Sequence, residues 1–149
     1  PRLTWRALSA WDLGILLFVA FRHMEQRAFD AVRAAGHTIT LAQARVFRRV
    51  AEEGSRLTTL AEAADVTKQS AGVLVDSLVD AGYLERRPDP TDRRARLITI
   101  TARGREVQAI GRRVIAEIEA EWLSHLGQTD VDSLRDILTR LREITDPYR

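Results

Sequence analysis

The 149-residue chain contains no cysteine, and this absence excludes several kinds of chemistry. Disulfide bonds, zinc–thiolate sites and cysteine-based redox sensing all require the thiol. The three histidines, His23, His37 and His125, lie far apart and never at the four-residue spacing that places two metal ligands on one helix face. The sequence also lacks a phosphate-cradling glycine loop and a nucleophile elbow. We therefore expect no metal site, no cofactor and no catalytic residues.

Long apolar runs are also missing. The longest uncharged apolar run lies between Asp12 and Arg22, which is far short of the roughly 20 residues that a membrane-spanning helix needs. The first residues lack the apolar core and cleavage pattern of a signal peptide. These features predict a cytoplasmic protein with no membrane partner. The chain is 45% apolar and long enough for a core, so residues 1–149 are expected to form a single domain.

The formal net charge is only +2, but the charge is unevenly distributed. Seven arginines and two aspartates lie between Arg86 and Arg105, which gives this stretch +5 and leaves −3 for the remainder. Concentrated positive charge is typical of a surface that contacts phosphates. Taken alone, such a run can equally be a solvated face.

Helix-start and helix-end signals divide the chain into six helices and a hairpin. The expected helices span about 10–35, 40–53, 59–64, 67–81, 102–126 and 130–145, and the residues expected to cap them are Ser9, Thr40, Thr59, Thr67, Thr101 and Thr129. The expected strands are 83–87 and 96–101, with a proline-containing turn at 88–94. Only Asp65 and Val66 separate the third and fourth helices, the connection length of a helix-turn-helix. The pattern predicts a mainly α fold with a small β-hairpin wing, in the order α-α-α-α-β-β-α-α.

The start of the fourth helix carries Thr67, Lys68, Gln69 and Ser70, which are donors and acceptors suited to DNA. A helix N-terminus attracts phosphate, glutamine can read adenine and lysine can reach guanine. Capping alone would also explain Thr67 and Ser70. We expect the apolar residues of this helix, Val73, Leu74 and Leu78, to lie in the core.

The hairpin concentrates its arginines near the tip and on the returning strand, at Arg93, Arg94 and Arg96. A guanidinium on an extended hairpin can enter a narrow, electronegative minor groove. We expect Asp92 to hold the Arg94 guanidinium in a bidentate pair. The alternative is an exposed surface pair of little energetic value. Arg86 completes the predicted DNA-binding set.

The outer helices carry more apolar surface than a winged helix can cover. Symmetric association of two chains is the simplest way to bury it, and would place two recognition helices about one DNA turn apart. The predicted interface residues are Trp11, Leu16, Phe21, Trp122, Leu134 and Leu141. Residues 10–36 and 102–149 are thus expected to be dimerisation helices, and residues 40–101 the DNA-binding lobe. The alternative is a monomer whose terminal helices pack on each other.

The segment DPTDRRARLITITARG at 89–104 follows DSLVDAGYLER at 76–86, and together they resemble the wing signature of the MarR family of bacterial transcription regulators. The resemblance extends over the whole chain in helix order. It implies an obligate homodimer on a pseudo-palindromic operator in double-stranded DNA, with the fourth helix in the major groove and Arg94 in the minor groove, oriented by Asp92. One departure is Asp65, where such turns often carry glycine, although aspartate tolerates left-handed conformations.

The resemblance also implies regulation by a small molecule. Many family members lose DNA affinity when small, often anionic aromatic compounds bind between the dimer helices and the winged helix. We therefore expect a repressor relieved by an aromatic or anionic effector. The candidate pocket residues, each of which could equally be ordinary core or surface, are Trp11, Phe18, Met24, His37, Arg45 and Phe47. The family's hydroperoxide sensors need a reactive cysteine, so that mechanism is excluded.

Two other functions compete with this hypothesis. An enzyme is disfavoured, since the fragment His23-x-Glu25 lacks the cysteine partners of a zinc deaminase. A winged helix used for protein contact or non-specific DNA architecture would also suit the wing arginines. Lys68 and Gln69 favour sequence readout over that alternative.

Overall fold

The computed structural model describes residues 12–146, and within them it contains six helices and one antiparallel hairpin. The elements are α1 (Leu13–Ala34), α2 (Leu41–Phe47), α3 (Leu57–Ala63), α4 (Lys68–Asp80), β1 (Leu84–Asp89), β2 (Asp92–Ile100), α5 (Ala102–Leu126) and α6 (Gln128–Thr145). This order confirms the predicted fold class, a winged helix-turn-helix flanked by long terminal helices. The predictions for Ser9 and Trp11 lie outside the described residues.

Three of the predicted helix caps are confirmed. The hydroxyl oxygens of Thr40, Thr67 and Thr101 accept hydrogen bonds from backbone N–H groups three residues later, at 3.2, 3.1 and 3.1 Å. Thr40 also forms a full capping box, because its own N–H donates to the side chain of Gln43 at 2.8 Å. Each threonine thereby satisfies a donor that the helix itself leaves unpaired.

Two of the other predicted helix starts, those of α3 and α6, are wrong, and α1 begins at Leu13. The N-cap of α1 is Asp12, whose carboxylate accepts from the N–H of Ile15 at 2.9 Å. Helix α3 begins at Leu57, two residues before Thr59, and its N-cap is Arg56. The residue before this cap, Ser55, is paired through its backbone with Ile98 of the hairpin, at 3.0 and 2.8 Å, and this pairing fixes where the helix can begin. Helix α6 begins at Gln128, directly after Gly127, so Thr129 lies inside it.

Helix α2 ends at Phe47, six residues earlier than predicted. The chain tightens there, because the N–H groups of Arg49 and Val50 donate three residues back, to Val46 and Phe47, at 3.0 and 3.2 Å. Val50 is still buried in the core after this turn.

The connection from α3 to α4 is short, as predicted. Asp65 adopts φ 53° and so occupies the left-handed region, which aspartate tolerates better than most side chains. Helix α4 starts at Lys68, with Thr67 as its cap. The two helices therefore form the predicted helix-turn-helix.

The hairpin is longer than predicted and its turn is shorter. The strands pair from Leu84 opposite Ile100 to Pro88 opposite Arg96, and only Pro90 and Thr91 remain as the turn. Pro88 is tolerated because β1 is an edge strand, where a missing N–H leaves no ladder bond unmade. The register shifts between Pro88 and Asp89, next to the turn.

The core lies between the helix-turn-helix, the base of the hairpin and the start of α5. Its largest fully buried side chains are Tyr83, Leu60, Leu78, Leu84, Ile98, Val46 and Val75, and Ile118 is fully buried farther along α5. The Tyr83 hydroxyl lies 3.2 Å from His37 Nδ1 and accepts from Thr38 N and Arg103 Nη2, at 3.3 and 3.2 Å. It thus joins the α1–α2 loop to the wing and to α5.

The outer helices leave apolar side chains exposed. They lie on the first half of α1, at the end of α5 and along α6, and include Leu13, Leu16, Phe18, Phe21, Leu126, Leu134, Ile137, Leu141 and Ile144. Between residues 12 and 146, no helix is long and apolar enough to cross a membrane.

Candidate nucleic-acid interface

The four polar residues at the start of α4 are all exposed, as a reading surface requires. The Thr67 hydroxyl caps the helix and donates to the Ser70 hydroxyl at 2.9 Å, so these two side chains hold each other. Lys68 and Gln69 occupy the first helical positions, beside backbone N–H groups that the helix leaves unpaired. This end of α4 can therefore accept a phosphate and present two longer side chains to bases.

Val73 is not in the core, contrary to the sequence prediction. Its side chain is 64% exposed, one turn after Gln69 on the same outward face. The buried face of α4 is formed by Ala71, Val75 and Leu78, while Leu74 packs at its edge. The prediction failed because two helical phases were compatible with the apolar residues, and the packing against α2 and α3 selects between them.

The seven arginines of the basic stretch fall into two groups. Arg86, Arg87 and Arg105 form ion pairs with Asp76, Glu85 and Glu52, and the Arg103 guanidinium lies 4.6 Å from the centre of the Tyr83 ring. The second group is Arg93, Arg94 and Arg96, which are exposed and make no ion pair within residues 12–146. These three guanidinium groups are available for an external anion.

The predicted side-chain pair between Asp92 and Arg94 is not formed. The Asp92 carboxylate instead accepts a hydrogen bond from the backbone N–H of Arg94, at 3.0 Å. Its other oxygen lies 3.8 Å from Arg56 Nη2. Asp92 therefore shapes the backbone after the turn and leaves the Arg94 guanidinium unpaired.

Sequence reasoning missed a second anchor of the wing, the buried carboxylate of Asp89. It accepts from the backbone N–H and hydroxyl of Thr91, at 2.8 and 2.7 Å, and from Arg56 Nε and Nη2, at 2.8 and 2.6 Å. The two Thr91 hydrogen bonds, followed by those from Arg56, lower the pKa of Asp89 to about 2. Arg56 thus ties the wing tip to the start of α3. No local motif signals this contact, because its partners are 33 residues apart.

The predicted effector residues converge only in part. A cavity of about 330 Å³ lies between α1, α2 and α5, and its walls are mostly apolar. Met24 and Phe47 line it, together with Phe21, Glu25, Ala28, Phe29, Val32, Ile39, Leu41, Ala44, Arg48, Val107, Gln108, Gly111, Arg112 and Ile115. The other described candidates, Phe18, His37 and Arg45, are not part of its lining, and Trp11 lies outside the described residues.

The three excluded candidates have other contacts. Phe18 is exposed on α1 beside Arg22, with 5.7 Å from the guanidinium carbon to the ring centre. His37 contacts the Tyr83 hydroxyl. Arg45 donates two hydrogen bonds of 3.0 Å to Glu25, which hold the pKa of that carboxyl below its ordinary value. Glu25 belongs to the cavity wall, so this pair joins α1 to α2 beside the cavity.

Five of the six predicted dimer residues lie on the outer helices. Leu16, Phe21, Leu134 and Leu141 are exposed, Trp122 is half-buried, and Trp11 lies outside the described residues. The exposed members belong to a larger apolar surface, which includes Leu17, Leu138 and Ile144. Among residues 12–146, no three metal-ligating side chains cluster together.

Comparisons with known proteins agree with this architecture. The family model that matches the chain is described as MarR family and covers residues 37–95. An uncharacterized HTH-type transcriptional regulator of Mycobacterium bovis is 29% identical over 109 residues, which are 72% of this chain and 76% of the relative.

Solved structures extend the likeness to the outer helices. A transcriptional regulator from Thermotoga maritima is 30% identical, with 87% of this chain and 90% of that chain covered and a TM-score of 0.62. The apo form of MarR from Escherichia coli is 21% identical, with 89% and 97% covered and a TM-score of 0.68. MepR of S. aureus bound to ethidium bromide is 19% identical, with 89% and 96% covered and a TM-score of 0.62.

Proposed function

Because the chain belongs to the MarR family of DNA-binding transcription regulators, we propose that it represses transcription as a homodimer on a pseudo-palindromic operator and that a small molecule relieves the repression. Members of this family are regulators and not enzymes. Residues 40–101 form the DNA-binding lobe of the proposal, and residues 10–36 and 102–149 its dimerisation helices.

One observation carries the DNA-binding part of the proposal. The wing carries three exposed arginines, Arg93, Arg94 and Arg96, that form no ion pair within residues 12–146, while the other arginines of the stretch are held by partners. In the proposal, Arg94 enters the minor groove, with Arg93 and Arg96 on the adjacent phosphates. Asp92 and Arg86 position the wing for DNA in this proposal. Asp92 accepts a hydrogen bond from the Arg94 backbone N–H, and Arg86 links β1 to α4 through Asp76. Thr67, Lys68, Gln69 and Ser70 enter the major groove at the start of α4.

The effector part of the proposal rests on the cavity between α1, α2 and α5. It lies where a dimerisation helix meets the lobe, and its apolar walls suit an aromatic molecule. The charged residues of its lining are Glu25, Arg48 and Arg112. Because Arg48 lies 3.9 Å from Glu25, Arg112 is the arginine offered to an anionic group. Occupation would alter how α1 and α5 sit against α2, and so the separation of two recognition helices. Aromatic carboxylic acids that raise the melting temperature are expected to release the operator in the same concentration range.

The central experiment compares two arginine variants on one hairpin. An operator is first selected from random duplex DNA, and its affinity for each variant is titrated at one fixed salt concentration. Arg94→Ala is expected to weaken binding by roughly tenfold to a hundredfold, the usual loss for a groove arginine. Arg87→Ala removes the same charge from a residue already paired with Glu85 and should lose much less. Equal losses for the two variants would contradict the minor-groove role of Arg94.

A further inference from the structure

The outward face of α4 contains one apolar side chain. Val73 is 64% exposed, and the neighbouring exposed positions carry Lys68, Gln69, Asp76 and Asp80. Valine is also a weaker helix former than alanine or the long polar residues, so it does not favour α4 on its own. Nothing within residues 12–146 covers this side chain enough to bury it.

The polar neighbours of Val73 differ in their availability. The Asp76 carboxylate accepts a hydrogen bond of 2.5 Å from Arg86 and is thereby engaged with the wing. Gln69 lies one turn before Val73, on the same side, with an exposed amide. The centre of this face therefore offers a hydrogen-bonding amide and, about 6 Å further along the helix axis, a branched apolar group.

We propose that Val73 is a specificity-determining residue that packs against the C5-methyl group of a thymine. The inference rests on the proposed insertion of α4 into the major groove. In that groove the thymine methyl is the apolar group that a base pair displays, so it is the natural partner for an isolated valine. Base pairs are spaced about 3.4 Å apart, and the thymine is therefore expected within about two base pairs of the base that Gln69 contacts.

The test removes methyl groups from both partners of the contact, the thymine and Val73. In the selected operator, each thymine is replaced in turn by deoxyuridine, which differs only in lacking the C5-methyl group. One thymine per half-site should weaken wild-type binding by roughly fourfold, the factor expected for burial of one methyl group. Val73→Ala should weaken binding to the thymine operator and lose its sensitivity to that same replacement. Melting temperatures of the two proteins verify that the exposed substitution leaves the fold intact.

The outcomes separate this inference from the function on which it rests. If the chain selects an operator but no deoxyuridine replacement matters, or Val73→Ala remains equally sensitive, the thymine contact is overturned while the regulator function stands. Gln69→Ala, put through the same operator selection, is expected to relax the base preference at one position per half-site. A sensitive thymine more than about two base pairs from that position also overturns the contact. If no operator is selected at all, the sequence-reading function fails, and the role of Val73 fails with it.

Discussion

At the residue scale, the wing is held by one buried carboxylate, that of Asp89. Asp89 accepts hydrogen bonds from Thr91 and Arg56, and these contacts favour its ionised form. In the folded protein its pKa is about 2, below the ordinary value of 3.8. Because the unfolded chain takes up the proton first as the pH falls, the stabilisation is complete above pH 3.8 and is lost as the pH falls through about 2.

Asp89→Asn should therefore destabilise the protein in a pH-dependent way. The asparagine cannot accept the same set of charged and neutral donors, so the variant should unfold at lower denaturant concentration near neutral pH. The difference from wild type should shrink as the pH approaches 2, where the wild-type carboxylate is also protonated. Denaturation midpoints at several pH values measure this. Asp80→Asn, an exposed change outside any ion pair of residues 12–146, is the control, and a gap for Asp89→Asn that stays constant with pH would contradict the assignment.

At the element scale, the hairpin and α5 meet at a point with no room for a side chain. A Cβ atom added to Gly104, in the first turn of α5, would overlap the Tyr83 carbonyl oxygen and lie 2.7 Å from Ile100 Cγ2. The backbone cannot move away easily there, because the Thr101 N–H donates a hydrogen bond to the same Tyr83 carbonyl oxygen at 3.2 Å. Gly104 therefore sets how closely the base of the wing packs on α5.

Gly104→Ala is expected to lower the free energy of unfolding by about 1–3 kcal/mol, as overpacking of a tight contact usually does. Gly111→Ala is the matched control, two turns later in the same helix, where the added Cβ meets no atom within 4 Å. There the better helix propensity of alanine should stabilise by about 0.5–1 kcal/mol. Chemical denaturation of both variants tests the pair, and equal shifts would show that the contact at Gly104 is not close.

Features of the helices that depend on nearby residues could be predicted from the sequence, and features that depend on distant residues could not. Thr40, Thr67 and Thr101 were correctly predicted as caps, because a capping hydroxyl acts on the N–H three residues away. The predicted start of α3 was wrong, because the observed start depends on the pairing of Ser55 with Ile98, 43 residues later. The candidate site likewise depends on contacts between residues that are distant in the sequence. The sequence located the basic hairpin, but tertiary packing decides which arginines are paired and places Val73 on the outward face of α4.

At the scale of the whole molecule, the outer helices expose large apolar side chains to water. The first half of α1, the end of α5 and all of α6 expose leucine, isoleucine, valine or phenylalanine side chains, and α6 has no buried residue at all. A single chain that folds on its own rarely leaves so many large apolar side chains uncovered. The cavity borders the same region, because Phe21 belongs both to its lining and to the exposed apolar set. Association and ligand binding would therefore act on neighbouring parts of α1.

A symmetric dimer through the outer helices predicts the mass of the protein in solution and how substitutions change it. Light scattering on the eluting wild-type protein should give about twice the chain mass of 16.8 kDa. Leu16→Glu combined with Leu141→Glu introduces two charges into the proposed interface, one on α1 and one on α6, and should shift the protein towards the monomer mass. Val73→Glu places a charge on an exposed apolar residue of α4, outside the interface, and should leave the dimer mass unchanged. A wild-type mass of one chain would contradict the dimer, while loss of the dimer in both variants would show that the interface includes α4 instead. Because dimers are concentration-dependent, the comparison is made over a dilution series, in which the double variant should dissociate at higher concentration than the other two proteins.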